Sequence, residues 1–219
     1  MLGRNDRREM YAIIKRLFDL TAALVGLLVL APALIVIAVA IKLNSRGPIL
    51  YLGERVGRHG KAFKIVKFRT MCVNAERLGT TTADNDPRIT GMGRFLRKYK
   101  LDELPQLINV IRGEMSIVGP RPEVEEHTSA YNEEEKAILT VLPGITDYSS
   151  IRFVNLGKVL GSENAHQVFV TKVRQEKNQL RLMYVRNRSL REDFRIIFLT
   201  VLTLVRVVLG RPGGKDWST

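Results

Sequence analysis

The stretch "LTAALVGLLVLAPALIVIAVAI", residues 20–41, decides the architecture of this chain, because none of its 22 residues is charged. As a helix it would be about 33 Å long, close to the ~30 Å hydrocarbon core of a bilayer. A cleavable signal peptide is the competing interpretation. The run is long for such a peptide, however, and the following "KLNSRGP" lacks the small-residue cleavage pattern. The sequence therefore predicts a segment that stays in the membrane.

Pro32, in the middle of this run, leaves two ways for the segment to sit. A proline inside a helix removes one backbone hydrogen bond and crowds the preceding turn. Lys15 and Arg16 precede the run and Lys42 and Arg46 follow it. Because both flanks are positively charged, the positive-inside rule does not assign an orientation to the segment. A re-entrant helix, broken at Pro32 and entering and leaving on one face, satisfies both flanks. A kinked spanning helix is the alternative, and the residues alone leave both open.

The composition is that of a folded protein with an anionic partner. Of the 219 residues 45% are apolar and 26% charged, and 35 Lys and Arg against 22 Asp and Glu give a net charge of +13. Such an excess suits nucleic acid, an anionic membrane face or a phosphorylated substrate. We expect no nucleic-acid partner, because no recognition motif and no basic-aromatic interleaving is present. The single cysteine, Cys72, excludes an internal disulfide framework and favours a reducing compartment.

We predict an α+β fold that is mainly helical with a few short strands. Residues 1–19 are an arginine-rich amphipathic lead-in, residues 20–41 the membrane helix, and residues 42–219 one compact domain. Residues between glycines in "GPILYLGERVG" and "KAFKIVKFRTM" have strand composition. The C-terminal run "DFRIIFLTVLTLVRVVLG" carries two arginines, so an interfacial helix or a buried core helix fits better than a spanning one. The charged stretch from about residue 163 to 188 could serve a homodimer.

Two adjacent carboxylates, Asp102 and Glu103, lie in "RKYKLDELPQ", residues 97–106. The apolar spacing after them and Gly113 predict a helix that starts at the pair and stops at the glycine. Acidic residues often complement a helix dipole in this way. Cations in several segments argue for more, since arginines and lysines in such an arrangement suit phosphate recognition. The candidate phosphate-binding residues are Lys67, Arg69, Arg97 and Arg121, the last within a rigid Pro-Arg-Pro triplet.

A carboxylate that approaches a phosphate needs a cation to offset the repulsion. Mg²⁺ favours oxygen ligands and often binds through one or two carboxylates together with substrate phosphates. We therefore predict a Mg²⁺ site at Asp102. The three histidines, His59, His127 and His166, show no metal-ligand spacing, and we assign none of them a role. The sequence has no P-loop, dinucleotide fingerprint or Ser-His-Asp order.

Four motifs occur in the order and spacing of one known family. They are "KFRTM" (67–71), "DPRIT" (86–90), "GRFLRKYKLDELPQLINVIRGEMSIVGPRPE" (93–123) and "PGIT" (143–146). The set resembles the bacterial sugar transferase family, the monotopic phosphoglycosyl transferases, in a minimal catalytic form and over nearly the whole chain. Two departures stand out. The turn continues as "PGITDYSSI", where many relatives have glycine and then an aromatic-Gln-Val segment, and Arg181 stands where relatives often have aspartate.

The resemblance implies an activity and roles for the site residues. The family transfers a sugar-1-phosphate from a UDP-sugar to undecaprenyl phosphate, releases UMP, uses Mg²⁺ and initiates assembly of a surface glycan. It implies that Asp102 is a nucleophile that forms a covalent phosphosugar intermediate and that Glu103 is its partner. It further implies that Lys67, Arg97 and Arg121 match the family's motif lysine and phosphate-binding arginines.

The resemblance also implies where the protein resides. In the family the hydrophobic segment is re-entrant in the lipid bilayer, which favours the same-face arrangement with its break at Pro32. UDP-sugars are cytosolic, so we expect the bacterial cytoplasmic membrane, with residues 42–219 as a catalytic domain on the cytoplasmic side. Two other hypotheses remain. The lipid phosphate could attack directly while Asp102 only binds Mg²⁺, or the chain could be a non-catalytic membrane adaptor.

Overall fold

The computed structural model describes residues 4–75, 86–160 and 165–211. Within them the chain is mainly helical with four short strands, which confirms the predicted balance of helix and strand. The helices are α1 (Arg4–Asn44), α2 (Gly91–Lys98), α3 (Leu107–Arg112), α4 (Glu125–Thr128), α5 (Tyr148–Arg152), α6 (Leu156–Leu160), α7 (Ala165–Val168), α8 (Arg174–Asn187) and α9 (Leu190–Val208). The strands are β1 (Leu50–Val56), β2 (Ala62–Phe68), β3 (Ser116–Val118) and β4 (Gly144–Thr146). Three 3₁₀ helices span Arg58–Gly60, Leu101–Gln106 and Glu135–Thr140, and a π-helical turn spans Phe169–Val173.

Helix α1 contains the whole apolar run and lies with one face against the rest of the chain. In the described residues it is the one helix long and apolar enough to cross a membrane, from Glu9 to Asn44. Its buried stripe begins at Asp19 and Ala23 and ends at Ile41. The helix continues through Pro32, so the expected break there is not confirmed. The re-entrant path stays a prediction.

Hydrogen bonds fix the N-terminal half of α1. Asp19 accepts one from Ser116 Oγ at 2.7 Å and one from Ile117 N at 3.1 Å. Arg16 donates to the carbonyl oxygens of Val110 and Ile111, which lie in the last turn of α3. Because Asp19 is 1% exposed, its charge is neutralised by donors from β3 rather than by water. The apolar helix is thus locked to the domain by polar groups.

The two predicted strands form an antiparallel hairpin, β1 with β2, in register from Leu50↔Phe68 to Val56↔Ala62. Asn109 of α3 fastens this hairpin to the domain. Its side chain accepts from Val66 N at 2.9 Å and donates to Lys64 O at 2.8 Å. Strands β3 and β4 form a separate parallel pair. The hairpin and the β3–β4 pair therefore flank α3, which follows the acidic pair.

Two cations of the charged segment around α8 are internal. Lys177 and Arg181 are 6% and 1% exposed, and both bind the carboxylate of Glu123. Tyr184 donates to Asp193 of α9 at 2.8 Å. The segment thus supports the fold of its own chain, and the homodimer predicted from it stays a prediction. Residues 163 and 164 of that segment lie outside the described part.

Helix α9 has two different faces. The buried face of α9 consists of Asp193, Ile196, Leu199 and Thr203. The opposite face leaves five large apolar side chains about half exposed or more: Phe194, Phe198, Val201, Val205 and Val208. The buried face agrees with the core-helix interpretation. The exposed apolar face has the character of an interfacial helix, and that placement stays a prediction.

Candidate active site

The acidic pair lies in a short 3₁₀ helix, Leu101–Gln106, that leads directly into α3. Lys100 precedes it with a left-handed backbone (φ 58°), a conformation that is uncommon for a residue with a side chain. Gly113 ends α3 in the left-handed region (φ 79°), as the predicted stop requires. The sharp entry at Lys100 turns the pair back toward β2. The pair thus begins a helical segment, as predicted, although its first turn is 3₁₀.

Asp102 is 7% exposed, and its Oδ1 has no hydrogen-bond partner among the described residues. Burial, reinforced by the neighbouring charge of Glu103, raises the pKa of Asp102, while the cations Lys67 and Lys100 oppose the rise. A buried carboxylate oxygen without a donor is unusual, because such groups are normally satisfied. It is suited to receive a cation or to contact a substrate. Asp102 therefore fits the predicted Mg²⁺ site by the chemistry of its free oxygen.

Glu103 is saturated with cations. Arg121 binds it through both terminal nitrogens, with Nη1 2.8 Å from Oε2. Lys67 Nζ lies 3.4 Å from Oε1. Burial alone would raise the pKa of Glu103, but the charges of Arg121 and Lys67 outweigh it and hold that pKa well below its usual range. Glu103 is therefore a fixed anion that orients two cations beside Asp102.

Lys67 lies near the end of β2, and its pKa is strongly perturbed. Burial lowers its pKa to about 8, although Glu103 acts in the opposite direction. A lysine in this state loses its charge in mildly basic solution. Its side chain remains 17% exposed, so a bound anion can reach the ammonium group.

The backbone of Arg121 is held in place by the residues on either side of it and by a hydrogen bond. Pro120 and Pro122 flank it, and its amide nitrogen donates to Asp147 Oδ2 at 3.2 Å. Asp147, fully buried, also caps α5 by accepting from Ser150 N at 2.7 Å. It is the residue of the "PGITD" turn at which the resemblance leads us to expect a difference from many relatives, and that difference stays a prediction. Its carboxylate holds the Pro-Arg-Pro triplet against the end of β4.

The remaining two predicted phosphate-binding residues differ in their placement. Arg97 donates to Thr70 Oγ1 at 2.8 Å, and its charge acts on Asp102. Arg69 instead binds the chain that follows α1, through Ser45 O at 2.9 Å, Ser45 Oγ at 3.0 Å and Arg46 O. Asp102, Glu103, Lys67, Arg97 and Arg121 thus form one charged cluster, from which Arg69 points away.

Two residues that the sequence interpretation missed support this cluster. Asn109 joins α3 to β2 and so fixes the 3₁₀ helix against Lys67. Gln106 is fully buried one turn beyond Asp102, and its amide has no hydrogen-bond partner among the described residues. The only signal in the sequence was their polarity at otherwise apolar helical positions. Such residues are buried only where a partner or a ligand satisfies them.

Comparison with known proteins identifies the family. A family model described as bacterial sugar transferase matches residues 10–207. The undecaprenyl-phosphate glucose phosphotransferase of Komagataeibacter xylinus is 39% identical over 209 residues, 92% of this chain and 37% of that protein. A UDP-N-acetylgalactosamine-undecaprenyl-phosphate N-acetylgalactosaminephosphotransferase of Aeromonas hydrophila is 36% identical over 93% of this chain and 46% of its own length.

The chain spans less than half the length of these two relatives, but most of a shorter one. The exopolysaccharide production protein ExoY of Sinorhizobium fredii is 36% identical over 210 residues, 89% of this chain and 86% of that protein. The matched region contains most of α1, the charged cluster around Asp102 and nearly all of α9. The chain belongs to the bacterial sugar transferase family.

Proposed function

We propose that this protein transfers a sugar-1-phosphate from a UDP-sugar to undecaprenyl phosphate and releases UMP, as an early step in making a surface glycan. The observation that carries the proposal is the buried Asp102, whose Oδ1 is unpartnered in the described residues and is surrounded by Lys67, Arg97 and Arg121. The names of the relatives, which include glucose and N-acetylgalactosamine transferases and an exopolysaccharide protein, support the substrate class.

In the first step, a carboxylate oxygen of Asp102 attacks the β-phosphorus of the UDP-sugar. A bond forms between that oxygen and phosphorus, and the bond from phosphorus to the oxygen that bridges the α-phosphate breaks. UMP leaves with the bridging oxygen and its electron pair. The sugar-phosphate stays on Asp102 as an acyl phosphate ester, which is the covalent intermediate expected of an activated carboxylate nucleophile.

In the second step, an oxygen of undecaprenyl phosphate attacks the same phosphorus. The bond to Asp102 breaks, the carboxylate is regenerated, and the product is an undecaprenyl diphosphate sugar. Both steps displace a group at the same phosphorus. The pocket must therefore carry positive charge that suits the UDP-sugar in the first step and undecaprenyl phosphate in the second. The fixed ion pairs of Glu103 with Lys67 and Arg121 provide cations that do not need to reorganise between the steps.

The cations hold the diphosphate and offset the charge that spreads over its oxygens. Arg121 has its backbone fixed, and its side chain is 25% exposed, so it can present a nitrogen to a phosphoryl oxygen. Asp102 would also hold Mg²⁺, which when bound lessens the repulsion between carboxylate and phosphate and polarises the phosphoryl oxygens. The unpartnered Oδ1 of Asp102 supports this assignment, and a bound divalent cation would favour the ionised form against the burial that raises the pKa of Asp102.

The packing of α1 supports a same-face arrangement in the bacterial cytoplasmic membrane. Ala23 packs with Ile65 and Met115, whereas Ile41, near the other end of the apolar run, packs with Leu96. A helix that spanned the bilayer would draw parts of the domain into lipid. We therefore propose that α1 is re-entrant or lies at the interface, as does the apolar face of α9. The domain faces the cytoplasm, where UDP-sugars are found.

The test is UMP release by the full chain in detergent or nanodiscs. A panel of UDP-sugars would be supplied with undecaprenyl phosphate and Mg²⁺, with wild type beside Asp102→Asn and, as matched control, Asp6→Asn at the start of α1. We expect release with at least one donor, loss of about 10³-fold or more in Asp102→Asn, and full activity in Asp6→Asn. Donor labelled in the sugar phosphate, given without acceptor, should label wild type and not Asp102→Asn.

The same experiment separates the competing hypotheses. Turnover without any labelled protein would favour direct attack by the lipid phosphate, with Asp102 acting only on Mg²⁺. Normal turnover in Asp102→Asn would exclude the nucleophile. No UMP from any donor, together with lipid binding that weakens with salt, would favour the membrane adaptor.

A further inference from the structure

Three potential metal ligands from two separate segments of the chain meet in the fold, and none of them belongs to the charged cluster around Asp102. Glu126 and His127 belong to α4 and His166 to α7. One carboxylate oxygen or ring nitrogen from each lies within 4.8 Å of the others. From spacing alone no histidine is predicted to bind a metal, because the two helices are far apart in the chain. The fold brings two of the three histidines together beside a carboxylate.

The hydrogen bonding of His127 is that of a metal ligand. Its Nδ1 lies 3.1 Å from Glu123 Oε2. In the tautomer that carries its proton on Nδ1, the ring donates to this carboxylate and leaves the Nε2 lone pair available. Nε2 is buried and, within the described part of the chain, has no hydrogen-bond partner. Histidines that bind metals usually donate their second nitrogen to a carboxylate or carbonyl in this manner. Glu123 is itself held by Lys177 and Arg181, so its orientation is fixed.

Aromatic stacking fixes the ring plane. The His127 ring lies 4.8 Å from the ring of Phe169 at an interplanar angle of 25°. Phe169 directly follows α7, one turn beyond His166. The stack therefore holds α4 and α7 side by side and sets the approach of the two imidazoles. Glu126 and His166 are exposed, so an ion and its waters can reach them from solvent.

We propose that Glu126, His127 through Nε2, and His166 bind a divalent transition-metal ion such as Zn²⁺, at a site separate from the Mg²⁺ site. Two imidazoles and one carboxylate suit Zn²⁺, Co²⁺ or Ni²⁺, whereas Mg²⁺ prefers oxygen ligands alone. Ligand atoms around a tetrahedral Zn²⁺ are about 3.4 Å apart. Each distance between two of the three ligand atoms therefore needs to shorten by at most about 1.4 Å when an ion binds. A bound ion ties α4 to α7, and water completes its coordination.

The test titrates Co²⁺ into the full chain, purified in detergent with a histidine-free tag, in buffer that contains Mg²⁺. Binding is followed by the visible ligand-field absorption of Co²⁺ and by competition with Zn²⁺. We expect one equivalent to bind and the thermal midpoint to rise with Zn²⁺. Each of His127→Gln, His166→Gln and Glu126→Gln should weaken binding at least about tenfold, since even outer ligand partners change metal affinity by about 10–100-fold.

The matched control is His59→Asn, which removes the third histidine from the β1–β2 turn, where asparagine tolerates the left-handed backbone (φ 58°). It should bind Co²⁺ as wild type does. Absence of Co²⁺ binding by wild type, or equal weakening in His59→Asn, would overturn the proposal. Wild-type affinity in either exposed-site variant, His166→Gln or Glu126→Gln, would also overturn it, even if His127→Gln failed to fold. UMP release is not the readout, so the transferase proposal stands or falls separately.

Discussion

Arg121 binds Glu103 with both terminal nitrogens, the Nη1–Oε2 distance being 2.8 Å, and so joins the Pro-Arg-Pro triplet to the acidic pair. Lys67 binds the same carboxylate from β2. The two carboxylates of the pair therefore have different roles. Glu103 holds cations and stays ionised, whereas Asp102 keeps an oxygen unpartnered within the described residues. In the proposed reaction Asp102 carries the chemistry and Glu103 arranges the cations around it.

Substituting Glu103→Gln tests this division of roles. The amide cannot bind two cations as a carboxylate does, so Arg121 and Lys67 lose their fixed positions beside the phosphates. We expect UMP release to fall on the order of 10²-fold, with labelling of Asp102 slowed but still detectable. The matched control is Glu134→Gln, which breaks an exposed pair with Arg186 and should leave activity unchanged. Unchanged activity in Glu103→Gln would contradict the role.

The pH dependence of turnover should report Lys67. Its pKa is lowered to about 8, chiefly by burial, so the ammonium charge is present below pH 8 and is lost as the pH rises through that value. We expect kcat/KM for the UDP-sugar to decline above about pH 8. In Lys67→Arg the decline should move to higher pH, because a guanidinium stays protonated. The control is Lys61→Arg, on the exposed side of the hairpin. The same pH profile in wild type, Lys67→Arg and Lys61→Arg would refute the assignment of the decline to Lys67.

Arg69 distinguishes the sequence prediction from the structural placement. The prediction makes it a phosphate ligand, whereas in the structure it satisfies carbonyl oxygens of Ser45 and Arg46. We expect Arg69→Met to destabilise the fold by about 1–3 kcal/mol, since two carbonyls lose hydrogen bonds to a charged donor, and to leave KM for the UDP-sugar unchanged. Arg121→Met should raise KM. A raised KM with an unchanged thermal midpoint in Arg69→Met would restore the phosphate-ligand role.

Two neighbouring glycines of α2 should respond differently to alanine. A Cβ on Gly93 would overlap the backbone carbonyl of Thr70, whereas one on Gly91 would meet only Asn44 Nδ2 at 3.7 Å. We expect Gly93→Ala to cost about 1–3 kcal/mol or more by overpacking and Gly91→Ala to be nearly neutral. Thermal unfolding in detergent measures both. Equal midpoints for the two variants would show that α2 does not pack on Thr70 in this way.

A double-mutant cycle should reveal the lock between α1 and β3. Asp19 accepts from Ser116 Oγ at 2.7 Å in a fully buried setting. We expect Asp19→Ala and Ser116→Ala each to destabilise the protein, with a coupling free energy of about 1 kcal/mol or more. Limited proteolysis near the start of α1 should accelerate in both. Strict additivity would mean that the contact contributes nothing to stability.

Some of this protein could be predicted from the sequence because the determinants are local. An uncharged run of 22 residues, residues 20–41, defines a lipid-compatible helix whatever surrounds it. Residues of strand composition between glycines define the hairpin, and the spacing from Asp102 to Gly113 defines a short helix and its stop. The ordered motifs were sufficient to indicate the family. Each of these depends on neighbours a few positions away.

Tertiary structure alone decided which side chains meet. Lys67 and Arg69 alternate as if on one strand face, but β2 ends at Phe68, so the alternation no longer holds and Arg69 turns toward the end of α1. The contacts Glu103–Arg121, Asp19–Ser116 and His127–Phe169 join residues that are not neighbours in the sequence. No local preference encodes such pairs, because their free energy arises only when the core has brought the segments together and removed water from between them.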